Sequence, residues 1–149
     1  MIARATGGAL MVLGAALVAL PAFAWFSAPG PAAPTRTSGF AGAGQLWLLP
    51  VPALAIVLCG VVLVATRPGR ERAAARWTGV VAVVAGALAL TLILWAALDP
   101  SLRLAIGLDG SVERIDVPVT VEPAATVAAA LAGVVMGIGA VTAAAGWRR

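Results

Sequence analysis

Five of the six carboxylates in this sequence fall within one stretch: Asp99, Asp109, Glu113, Asp116 and Glu122; the sixth is Glu71. Clustered carboxylates could hold Ca²⁺ or work as an acid/base pair. Their spacing matches no Ca²⁺ loop, and nothing pairs two of them convincingly, so they read as solvated loop charge. The usual partners of nucleophilic chemistry are missing. There is no His, Lys or Tyr, so no Ser–His, Cys–His or H-E-x-x-H arrangement can form. No P-loop or G-x-G-x-x-G is present. The lone Cys59 sits among Val and Leu and behaves as a small hydrophobe. An enzyme is therefore not expected, nor a catalytic residue, a cofactor or a metal.

The elements around these residues are apolar and long. Of 149 residues, 62% are hydrophobic and 11% charged, against about 25% charged in ordinary soluble domains. Mean hydropathy is +1.03. The clearest element is the run from Trp77 to Leu98, 22 residues without a charge. As a helix it measures about 33 Å, enough to cross a hydrocarbon core of about 30 Å. Arg76 closes one end and Asp99-Pro100 the other.

Three further runs repeat this design, giving spans at about 5–26, 45–66, 77–98 and 124–146. The chain reads as one all-α membrane domain of four antiparallel transmembrane helices, with a small extracytoplasmic β-hairpin. For residues 1–26 two readings compete. Arg4, a short apolar run and Ala22-Phe23-Ala24 resemble a secretory signal peptide. The apolar run also continues into Trp25 and Phe26, which suits the interfacial end of a retained span, and retention is the expectation. Residues 27–44 are rich in Pro, Gly, Ala, Ser and Thr and read as a mobile outer loop, with Phe40 a chance surface aromatic. The outer loop 99–123 holds the carboxylates. Around Asp109-Gly110, Leu102 and Leu104 alternate toward the turn and Ile115 and Val117 away from it, a strong hairpin signal.

The inner loop 67–76 carries Arg67, Arg70, Arg72 and Arg76 against one Glu71. With Arg4, Arg148 and Arg149 it falls on one side of a four-span topology. The positive-inside rule makes that side cytoplasmic, and both termini with it. A lipid head-group or partner site is the functional alternative for this loop. All five tryptophans lie at span boundaries as interfacial anchors: Trp25, Trp47 and Trp95 outside, Trp77 and Trp147 inside. The net charge of +4 is spread over membrane boundaries rather than one patch, which speaks against nucleic acid as a partner.

Within the spans, Thr78 and Thr91 can bond back to a carbonyl one turn earlier. Ala82 and Gly86 form a small-xxx-small pair. In the fourth span Ala125, Ala129, Gly133 and Gly137 recur every four residues, a candidate helix-packing face. Its partner is either another helix of this chain or a second copy. No span carries an ionisable residue other than the Cys59 thiol, which counts against a proton-coupled transporter.

The first span ending in Ala24-Trp25-Phe26, the 61–76 stretch VVLVATRPGRERAAAR and the terminal Gly146-Trp147-Arg148-Arg149 resemble small four-span membrane proteins of high-GC Gram-positive bacteria. The tryptophan-biosynthesis-associated membrane protein family is one such group. An all-arginine basic set with abundant Ala, Val, Gly and Pro fits the same source. The resemblance implies a bacterial plasma-membrane protein and supplies no catalytic residue. The expected function is an accessory or interaction subunit in the lipid bilayer, binding other membrane proteins or itself. The alternatives are an oligomeric channel or carrier, with Thr91 or Thr142 on its path, and an envelope-facing binding or sensing module using the 99–122 hairpin.

Overall fold

The computed structural model describes residues 2–28, 34–67, 69–98 and 119–147. Among them run α1 (Ile2–Ala19), β1 (Ala24–Ala28), β2 (Thr35–Ser38), α2 (Gly39–Gly42), α3 (Pro50–Ala65), α4 (Glu71–Leu98), β3 (Thr120–Val121) and α5 (Pro123–Trp147). Four helical segments are long and apolar enough to cross a membrane: Arg4–Ala22, Gly44–Ala65, Glu71–Leu98 and Pro123–Trp147. Their sides are apolar all round. Val51, Leu54 and Leu58 on α3 stay 69%, 55% and 63% exposed, an outward surface compatible with a multi-pass membrane protein.

Glycine sets the helix pairing. Gly7 and Gly14 on α1 lie against Gly60 and Ala53 on α3. Gly79 and Gly86 on α4 lie against Gly139 and Ala132 on α5, and Gly146 reaches Arg72 and Arg76. In each pair one number rises as the other falls, so both pairs are antiparallel. A Cβ on Gly60 would sit 2.5 Å from the Gly7 carbonyl oxygen, and one on Gly139 would sit 2.9 Å from that of Gly79. Only hydrogen fits there. α4 and α5 share the most extensive interface, α1 and α3 the next, and α3 meets α4 over a smaller one.

The first span is shorter than the expected 5–26. Pro21 has no amide hydrogen to continue an α-helical ladder, and the chain tightens into a 3₁₀ turn at Leu20–Ala22. It then leaves as β1 with Trp25 and Phe26 at 0% and 1% exposure. The described sheet is built from other strands than the expected 102–117 hairpin, which lies outside the described residues. It is three-stranded, in the order β2-β1-β3, with both pairings antiparallel. β3 pairs with β1, and the Asp109-Gly110 turn lies outside the described residues. Residues 35–44, part of the expected mobile loop 27–44, form β2, α2 and the start of a 3₁₀ turn at Gly44–Leu48, which also takes the first residues of the expected span 45–66. Phe40 stacks on Trp47 with ring centroids 4.9 Å apart.

The arginine-rich connection 67–76 contracts as well. Glu71, Arg72 and three alanines are good helix formers, and a carboxylate in the first turn suits the helix dipole. α4 therefore starts at Glu71 and reaches 28 residues. Gly69, at φ +93°, makes the turn between α3 and α4.

Candidate functional site

Two surfaces could engage other molecules: the outward face of α5, and the arginine-bearing end of the bundle. The expected small-residue face splits on α5. Ala125 is buried and Ala129 half-buried, while Gly133 and Gly137 are exposed, with open space where a Cβ would stand. The cause is helical geometry. A step of four residues turns the helix by a full circle plus about 40°, so the quartet winds from the core edge to the outside. The face that packs inside the chain is Ala125, Ala128, Ala132, Val135, Gly139 and Thr142. Opposite it runs an outward stripe of small residues: Thr126, Ala130, Gly133, Gly137, Ala140 and Ala144, all exposed. Its alternating four- and three-residue steps keep it straight along the helix, which was the signal in the sequence.

The helix threonines are tied locally, Thr78 and Thr142 on the core side and Thr91 on an exposed one. Thr78 donates to the Ala74 carbonyl at 2.6 Å, Thr91 to Ala87 at 2.9 Å and Thr142 to Ile138 at 2.7 Å. Ala82 and Gly86 are buried, Gly86 against Met136 and Ala132.

At the arginine-bearing end the close approach of Gly146 to Arg76 brings a cation over an indole. The Arg76 guanidinium carbon lies 3.2 Å from the Trp147 ring centroid and 5.5 Å from that of Trp77. Its Nε is buried without a hydrogen-bond partner among the described residues, so ring stacking holds this side chain. Arg67, Arg70 and Arg72 are exposed. Arg148 and Arg149 lie outside the described residues. A cavity of about 270 Å³ opens nearby, lined from all four long helices by residues including Thr6, Leu63, Glu71 and Thr142.

Four of the five tryptophans are exposed: Trp47 (66%), Trp95 (53%) and Trp147 (58%) at or near helix ends, and Trp77 (64%) nearly two turns inside α4. Trp25 is not an interfacial anchor. It is fully buried, and its indole N–H donates to the Leu20 carbonyl at 2.7 Å. Gly39 packs on its ring, where a Cβ would come within 3.0 Å. β3 locks the same end to α5. The Glu122 amide donates to the Trp25 carbonyl at 2.7 Å, and the Ser27 and Thr120 hydroxyls share a hydrogen bond of 2.6 Å.

Fold and surfaces together define a class: a small four-helix chain with apolar outer faces, suited to crossing a membrane several times. No known protein family, curated protein or solved structure gives a significant match to it.

Proposed function

We propose that this chain is a small bacterial plasma-membrane protein, of the kind its four-span pattern resembles, that works as an accessory or interaction subunit. It does so by binding another membrane protein, or a second copy of itself, through α5. The observation that carries the reading is the outward stripe Thr126, Ala130, Gly133, Gly137, Ala140 and Ala144, opposite the face that packs inside the chain. In lipid there is little hydrophobic drive between helices, so close backbone approach supplies much of the association. An open glycine face offers that approach. The reading involves no catalysis. The reading sets that end, and both termini, in the cytoplasm; the excess of arginine over acidic residues in 67–76 supports this through the positive-inside rule.

The test compares two single changes on α5. Gly133→Ile puts a branched side chain in the stripe; Val134→Ile does so about 100° around the helix. Tagged chain is cross-linked in intact membranes and then solubilised in mild detergent. We expect a defined dimer or heteromer that Gly133→Ile abolishes and Val134→Ile preserves. Equal yields from both variants would remove the support for the reading.

A further inference from the structure

The geometry points to a binding site for one anionic phospholipid in the seam between α3 and α4, with the phosphate at Arg67 and Arg70 and an acyl chain along the helices. The inference rests on the membrane placement proposed above.

The seam lacks the glycine contacts that close the other two helix pairs. Valine and alanine side chains line most of it instead, with Pro52, Trp77 and Leu88, and it stays open. At its arginine end is a cavity of about 830 Å³, lined by Val62, Thr66, Arg67, Arg70, Trp77 and neighbouring small residues. No carboxylate is among its lining residues. Neither guanidinium has a side-chain partner among the described residues, and the Trp77 indole N–H is likewise unpartnered there. The Thr66 hydroxyl already donates its hydrogen bond to the Val62 carbonyl, at 2.6 Å. The donors facing this mouth are therefore two arginines and an indole. A guanidinium fork matches phosphate oxygens in pairs, and an indole suits the head-group level.

Further along the same seam a second cavity of about 300 Å³ is lined by apolar residues alone, among them Val51, Ala55, Val81, Val84 and Leu88. Steps of seven residues (74 to 81, 77 to 84) and eleven (55 to 66) relate the two linings. Such steps return to one side of a helix, so both cavities lie on one face of the pair. Thr66 and Ala55 are about 16 Å apart along the axis, close to the depth of one leaflet, half of about 30 Å. A charged mouth with an apolar track below it fits a lipid with an anionic head. A free phosphate would use the mouth only, and a zwitterionic lipid would bring its own cation to two arginines.

Full-length chain is purified in mild detergent, incubated with equal phosphatidylglycerol and phosphatidylcholine, and weighed by native mass spectrometry. One phosphatidylglycerol should remain bound in preference. Arg67→Gln with Arg70→Gln should lower its bound-to-free ratio about thirtyfold, from loss of two arginine charges at the head group. Arg4→Gln with Arg72→Gln removes the same charge from exposed residues that do not line the mouth, and should leave the ratio unchanged. Ala55→Phe, which fills the apolar track, should lower it with no change of charge. Millimolar inorganic phosphate should not displace the lipid. Equal losses in the two double variants, equal retention of phosphatidylcholine, or displacement by phosphate would each overturn the site. Alkaline carbonate extraction of native membranes tests the placement separately. Release of the chain would refute the placement and the site together; retention without lipid preference would refute the site alone.

Discussion

The rotation of α5 makes a prediction whose sign differs between two glycines. Gly79 faces α5, where a Cβ would lie 2.7 Å from the Gly139 carbonyl oxygen and 2.8 Å from the Ala143 Cα. Those atoms are backbone and cannot swing aside, so Gly79→Ala must push α4 and α5 apart. Overpacking of this kind costs about 1–3 kcal/mol, and immovable neighbours favour the upper half. At about 2–4 °C per kcal/mol for a chain of this length, melting should fall by about 4–12 °C. Gly133 has open space at the same point. Gly133→Ala adds no contact within the chain and gains helix propensity of about 1 kcal/mol. It should melt at the parent temperature or about 2–4 °C higher. Thermal aggregation of the purified chain, at one detergent concentration and one heating rate, reads both. If Gly133→Ala lost as much as Gly79→Ala, the packed and open faces of α5 would not be where we place them.

Two other predictions probe the ends of the bundle. Trp25→Phe removes the donor to the Leu20 carbonyl and should cost about 1–3 kcal/mol; it should also remove the tryptophan emission that acrylamide cannot quench, whereas Trp47→Phe should remove quenchable emission, and equal effects would refute the burial of Trp25. In a Cys59→Ser background, a cysteine at Arg36 should react with a membrane-impermeant thiol reagent in intact cells and one at Arg70 should not; the reverse pattern would invert the proposed orientation.

The four long helices were legible because a bilayer-length apolar run admits few other structures. Their ends were not, because each end is decided by local chemistry that hydropathy averages away. Aromatics at a span boundary suggest anchors, but Pro21 ends the ladder first and turns Trp25 and Phe26 inward. Stretch 27–44 has the composition of a mobile loop, yet Arg36, Thr37 and Ser38 pair across to β1. The signal was the Thr-Arg-Thr run of β2, two β-branched residues in alternation, and it was too short to stand alone. The arginine-rich segment was read by charge as a loop, although Glu71 through Ala75 carry the propensity that starts α4. The seam between α3 and α4 could not be read at all. Each of its linings is an ordinary stretch of apolar helix, and only their opposition makes a groove.

Glycine placement accounts for both proposed surfaces. Gly7, Gly14 and Gly60 close α1 on α3, and Gly79, Gly139 and Gly146 close α4 on α5, each at backbone distance. Two tight helix pairs result, and small residues bring those backbones together. Where they pair within the chain they are consumed. Gly133 and Gly137 are not consumed, so α5 keeps an open contact face on the side away from α4. Where glycine is missing from the contact, as among Val51, Val81, Val84 and Leu88, side chains hold the backbones apart and leave space between the two pairs. Widening that space needs no change in either pair, and narrowing it would need large side chains to give way. The same rule of approach thus leaves the outer face of α5 suited to a helix, and the α3–α4 seam suited to an acyl chain.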